Sequence, residues 1–176
     1  MKKFQYHIKP QDILILLKIL SMNRADWRQV DLADSLDISQ SEVSQSLVRL
    51  KYADLLTDDT RNVMRSSLLE FLLHGIKYAF PQKPGAMVRG IPTAHSAPPL
   101  KNEILSNENY VWPTATGDVR GFRVDPLYPS IPKAVKNDLK LYAMLALVDA
   151  IRIGQAREKK LAEQELKKLI HEEYNH

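Results

Sequence analysis

The sequence predicts a mainly α-helical protein, with one short β-hairpin and a Pro/Gly-rich irregular layer ahead of C-terminal helices. Three observations predict it. Apolar residues recur at helical spacing in several separate segments. A helix-start signal follows a tight turn at residues 37–42. Prolines and glycines crowd residues 81–132, where the helical period disappears.

The first helix is expected over Gln11–Met22. Pro10 suits a first helical turn, and Ile13, Leu16, Leu17 and Leu20 repeat at helical spacing. Leu14, Ile15 and Ile19 make this helix apolar nearly all round, so it should be buried on more than one side. A second helix is expected from about Arg28 to Leu36, with Val30, Ala33 and Leu36 on one face. Asp37 follows where the chain must turn, and aspartate tolerates the left-handed conformation better than most residues. The third helix runs from about Gln40 to Ala53. LLTDDTRNVM, two short apolar pieces around a polar turn, reads as a hairpin. Met64 to Phe80 reads as one helix, weakened at Gly75 and stopped by Pro81.

Residues 81–132 carry Met87, Val88, Ile91, Trp112, Phe122 and Val124 among their prolines and glycines. They are expected to form an ordered, irregular layer with short strands, GFRV being the best candidate. Asn137 or Asp138 then caps LKLYAMLALVDAIRI, which Gly154 interrupts. QAREKKLAEQELKKLI is amphipathic, with Leu161, Leu166, Leu169 and Ile170 on one side. The tail HEEYNH is expected to fray. The resulting division is a helical unit at residues 1–64 and a packing or dimerisation region at residues 65–176.

Cysteine is absent, so there is no disulfide framework and no thiolate metal site. No signal peptide is read at the N-terminus, and ILILLKIL is too short to span a bilayer. A cytoplasmic location and no membrane partner are expected. The formal net charge is +4, which permits nucleic-acid binding without requiring it. Residues 1–65 hold ten basic and nine acidic side chains, whereas Lys77–Lys101 holds four basic and no acidic ones.

The most informative stretch is DISQSEVSQSLVRL, residues 37–50. Ser39 and Glu42 have the spacing of a reciprocal capping box. On a helical wheel Val43, Leu47 and Leu50 form an apolar arc. Ser41, Ser44, Gln45, Val48 and Arg49 form the opposite one. Glutamine and arginine can each make two hydrogen bonds to a base edge, serine reaches bases or phosphates, and valine meets a thymine methyl. A capped helix start suits a phosphate oxygen, and a preceding helix plus short turn is the platform of a helix-turn-helix.

VDLADSLDISQSEVSQSLVRLKYADLL resembles the MarR-like winged helix-turn-helix transcription regulators. The likeness lies in Leu32-Ala33, Ser39, Val43-Ser44, Leu47, Leu50 and Leu55-Leu56, and it covers about residues 10–64. The sequence departs from the family at Asp37 and Asp54, where glycines are usual, and in an acidic wing tip with little positive charge. The resemblance implies a sequence-specific regulator that binds double-stranded DNA; a homodimer is expected from the apolar C-terminal helices, with the first helix a further candidate for the contact. The residues expected at DNA are Ser39, Gln40, Ser41, Ser44, Gln45, Val48, Arg49, Lys51, Arg61 and Arg65. Gln45 and Arg49 would read bases, and Arg61 or Arg65 would touch the flanking backbone.

Other readings compete. The same module can serve protein contacts, with its polar arc merely solvated. An antitoxin or adaptor would bind a partner protein through the C-terminal helices and repress its own operon. An enzyme would use His95 with Ser96 and Asp118 or Asp125, although no nucleophile elbow supports this. No two histidines have metal-ligand spacing, and no cofactor is expected. His74 reads as a core or interface residue. Lys77, Lys83 and Arg89 read as solvated surface or an auxiliary phosphate patch. The apolar residues of 139–153 and the leucine stripe of 156–170 need cover, which a second copy could provide.

Overall fold

The computed structural model describes residues 2–171, so the tail expected to fray lies outside the described residues apart from His171. Pro10 opens α1 (Pro10–Met22), and Asp12 accepts the Lys9 amide at 2.8 Å, satisfying one free N–H of the first turn. Ile13 to Leu17, Ile19 and Leu20 are all buried, as the all-round apolar pattern requires. Helix α2 (Gln29–Leu36) stops at Asp37, whose φ of 53° is left-handed. Ser39 then caps α3 (Gln40–Tyr52) by accepting the Glu42 amide at 3.1 Å. The reciprocal half of the expected capping box is replaced, because the Glu42 carboxylate accepts from the Tyr128 hydroxyl at 3.4 Å. Asp54, with φ 58°, makes the second left-handed turn. Both aspartates stand where the family resemblance leads one to look for glycine.

The expected hairpin is reduced to a single antiparallel bridge, Leu56 to Val63, around the turn at 57–62. The single helix expected over 64–80 is instead two, α4 (Arg65–His74) and α5 (Ile76–Ala79). They part at Gly75, where a Cβ would lie 2.9 Å from the Phe71 ring, so a larger residue would have to displace that aromatic.

The Pro/Gly-rich segment builds three short strands, β1 (Met87–Pro92), β2 (Tyr110–Pro113) and β3 (Val119–Arg123). Strand β1 pairs antiparallel with both others. A short parallel pairing, Tyr110 with Phe122 and Val111 with Arg123, closes them into a tiny barrel. Such closure brings backbones together. A Cβ on Gly90 would sit 2.0 Å from the Trp112 carbonyl oxygen, and one on Gly117 would sit 2.4 Å from the Gly90 carbonyl. Those glycines are structural requirements of the barrel.

Helix α6 (Ile131–Ala134) leads to α7 (Leu139–Ile153). Asp138 caps α7 by accepting the Leu141 amide at 2.9 Å. Gly154 breaks the chain before α8 (Ala156–His171). Every residue of α7 from Met144 to Ile151 is buried. This helix is the centre of the molecule, touching α1, α5, α8 and the 3-10 turn at Ala94–Ser96. The stripe of α8 closes on it, with Ala162, Leu166 and Ile170 buried and Leu161 and Leu169 packed at the margin. The apolar surface that suggested a second copy is therefore covered within one chain. A single core runs from α1 through to Ile170.

The barrel is bolted to α7 by Asp149, which is 2 % exposed. Its Oδ2 accepts from Thr93 Oγ1 and Trp112 Nε1, each at 2.7 Å, and its Oδ1 accepts from Arg152 at 3.0 Å. Burial pushes this carboxyl above its ordinary value against the opposing pull of Arg152 and the two neutral donors. Among the described residues no helix is long and apolar enough to cross a membrane.

Candidate nucleic-acid interface

Helix α3 carries most of the expected site. Val43, Leu47 and Leu50 are buried, with Leu36 and Ile38 closing over them. On the outward side Gln40, Ser41, Ser44, Gln45, Val48 and Lys51 are exposed, and Ser39 is exposed at the cap. Seven of the ten expected residues thus share one accessible surface. The arc is almost uncharged, and the first-turn amides of α3 open beside it.

Arg49 is not part of that surface, which corrects its assignment as a base reader. It is 2 % exposed, and its guanidinium grips Asp12 with two parallel bonds, Nε to Oδ2 and Nη2 to Oδ1, both 2.8 Å. Nη2 also donates to Ser46 Oγ at 3.0 Å. The helix packs against both α1 and α2, so its buried sector is wider than the leucine arc alone and reaches Ser46 and Arg49.

Arg61 and Arg65 are also engaged elsewhere. Arg61 Nη1 donates to the Trp27 carbonyl at 2.6 Å, and its guanidinium lies 5.1 Å from the Trp27 ring centre. Trp27 Nε1 returns a bond to the Arg61 carbonyl at 3.2 Å. This fixes the 57–62 turn to the connection between α1 and α2. Arg65 reaches in another direction, donating to the Ile170 carbonyl at the end of α8. At the turn tip, hydrogen bonds from the Thr57 hydroxyl and the Arg61 amide hold the Asp59 carboxyl below its usual range. That tip is anionic at neutral pH and does not favour phosphate.

No protein-family model, curated protein or solved structure was found to match this chain.

The fold adds neighbours that the linear pattern did not reveal. The segment containing α6 lies beside the turn between α2 and α3. Tyr128 bonds Glu42, and Lys133 Nζ reaches Asp37 Oδ2 at 3.4 Å. Lys133 and Lys136 line a hollow with Lys18, Asp34 and Asp138 there. Nothing local in KAVK signals proximity to residue 37, so only the fold brings Lys133 to the turn before α3 and Lys136 to the hollow beside the end of α2. Elsewhere Arg89 faces Arg120 directly across the β1–β3 ladder, both exposed.

The histidine site is not assembled. The His95 ring is buried, its Nε2 donates to the Glu108 carbonyl at 2.9 Å, and its edge packs on Tyr110. Ser96 Oγ accepts the Tyr110 amide at 2.9 Å. Asp118 is exposed, and Asp125 pairs with Arg123 at 2.7 Å. His95 and Ser96 tie the turn that follows β1 to the chain entering β2. His74 is exposed at the end of α4, not in the core. Among the described residues no three His, Asp or Glu side chains converge as a metal site.

Proposed function

We propose that this chain is a sequence-specific DNA-binding regulator. Its α1–α3 unit, with the Leu56–Val63 bridge, acts as a winged helix-turn-helix of MarR-like type, and α3 enters the major groove. One observation carries this reading: a helix whose inner arc is locked in the core presents an uncovered arc of Ser, Gln and Val side chains suited to base edges. Gln45 is the principal base reader, Ser41 and Ser44 take bases or phosphates, and Val48 meets a methyl group. Phosphate contacts come from Lys51, from the α3 amides, and from Lys133 and Lys136 beside the turn. Few cations on one copy mean weak non-specific attraction, so two copies on paired half-sites would raise affinity.

A second reading has its own support. Asp34, Asp37, Asp54, Asp58 and Asp59 are exposed around the arc. That acidic frame suits a basic protein partner, as an adaptor or antitoxin would have.

Fluorescence anisotropy with duplex DNA from upstream of the gene, against scrambled duplex, separates the two. The regulator reading expects preference for the native duplex, and Gln45→Ala should reduce it by about 1–3 kcal/mol. Equal, negligible binding of both duplexes at low salt would replace it with the partner reading.

A further inference from the structure

Four exposed apolar or aromatic side chains meet beside the polar arc. Phe4, Tyr6, Val48 and Tyr52 are 38 %, 43 %, 45 % and 66 % exposed. Val48 and Tyr52 lie one turn apart on α3. Phe4 and Tyr6 come from the extended arm, residues 2–9, that precedes α1. The Tyr6 ring stacks on Tyr52 with centroids 4.1 Å apart and planes 27° from parallel. Phe4 continues the ladder at 4.9 Å from Tyr6. Under the ladder runs a groove of about 500 Å3 that Ser44, Val48, Lys51 and Asp58 also line. Clusters of exposed apolar surface of this kind mark contact sites.

The charge around the ladder is mixed, with lysines on and below the arm and the exposed acids Asp54 and Asp58 near the groove. Lys2 and Lys3 on the arm and Lys51 below it are exposed, and among the described residues none has an acidic partner. The groove is continuous with the arc through Ser44 and Val48, so whatever lies on that arc also passes the arm. The inward or lateral engagement of Arg49, Arg61 and Arg65 leaves the arc short of cations, and the arm carries two, Lys2 and Lys3.

We infer that the N-terminal arm is a second DNA-contacting element. Lys2 and Lys3 take backbone phosphates of the duplex whose bases face α3, and the Phe4–Tyr6–Tyr52 ladder holds the arm in register. This rests on the regulator reading above. It adds a defined number of phosphate contacts outside the helix-turn-helix.

Each phosphate neutralised contributes about 0.9 to the slope of log Kobs against log salt. The full-length chain is titrated with the upstream duplex over a range of salt concentrations. The double variant Lys2→Ala/Lys3→Ala should lower the slope by roughly 1.8 and keep the preference for native over scrambled sequence. Tyr52→Ala removes no charge, yet should weaken binding about 2- to 10-fold by freeing the arm, while Tyr52→Phe keeps the stack and the affinity. An unchanged slope in the double lysine variant, with sequence preference intact, overturns the arm inference and leaves the regulator reading standing. A wild type that binds no duplex overturns both. Binding that Tyr52→Ala does not alter overturns the ladder as the arm's anchor.

Discussion

Helices α1 and α7 are built alike and held differently. Both are apolar nearly all round, and each buries one aspartate, Asp12 at 0 % and Asp149 at 2 % exposure. Asp12 is neutralised from another helix, by the two-pronged grip of Arg49 on α3. Asp149 has its arginine one turn away on the same helix and uses its other oxygen for neutral donors from the barrel, Thr93 and Trp112. The first arrangement is a charged joint between two helices, and the second is a largely neutral bolt between a helix and an irregular layer. The contrast teaches which arginines remain for a partner. A charged joint draws its cation from the surface of the neighbouring helix, and α3 loses Arg49 in that way.

The largest expected effect breaks the charged joint. Arg49→Ala leaves Asp12 buried without a counterion and should cost about 3–5 kcal/mol in urea unfolding. Arg49→Met combined with Asp12→Leu removes both charges and should recover most of that loss. An Arg49→Ala protein of wild-type stability would refute the joint and return Arg49 to the exposed side of α3. At the neutral bolt the loss should be smaller. Trp112→Phe removes one donor and leaves Asp149 short of a partner, for about 1–3 kcal/mol. Equal losses at the two aspartates would erase the difference drawn between them.

Much of this contrast was legible only in part. The helices, the cap at Ser39 and the left-handed turn at Asp37 follow from local pattern, because caps and apolar periods are written within a few residues. The partner of Arg49 is 37 residues away, and a wheel drawn for one apolar face assigns Arg49 outward. Asp12 looks like an ordinary first-turn acid until α3 is laid across it. Gly90 and Gly117 are two among the many glycines and prolines of residues 81–132, and nothing local marks them, since the backbone they accommodate belongs to a strand or turn that pairs non-locally. The leucine stripe of α8 was visible as needing cover, but sequence periodicity does not say whether that cover is α7 or a second chain.

Acid titration sharpens the comparison at two carboxylates of α7, Asp138 at its cap and Asp149 inside it. Burial pushes Asp138 up, but bonds from Lys18, the Leu141 amide and Ser21 outweigh it, and its carboxyl lies below the usual range. Its stabilisation is therefore complete above the unfolded value of about 3.9 and is lost as pH falls through the lower folded value. Asp149, raised by burial, has the opposite sign: its contribution is complete below the unfolded value and fades as pH rises through the folded one. Asp138→Asn keeps a good helix cap and should flatten the loss of Tm between about pH 5 and pH 2. A wild type and variant with parallel acid profiles would show that the Lys18–Asp138 pair at 2.7 Å contributes nothing pH-dependent.

The smallest effect on folding is expected where the functional effect should be greatest. Gln45 is exposed on the arc of α3 opposite the leucines, and no hydrogen bond within the described chain engages it. Gln45→Ala should shift unfolding by no more than about 0.5 kcal/mol, as for surface substitutions generally, and alanine is if anything the better helix former. Gln45 holds no other element in place, whereas Arg49, one turn further on, holds α1. Unfolding and DNA titration of the two variants side by side thus divide the helix by function. Loss of binding with retained stability at 45, and loss of stability at 49, place the DNA face on one side of α3 and the joint on the other. A Gln45→Ala protein that unfolds as readily as Arg49→Ala would mean that the arc is covered by a contact within the protein and is not available to bases.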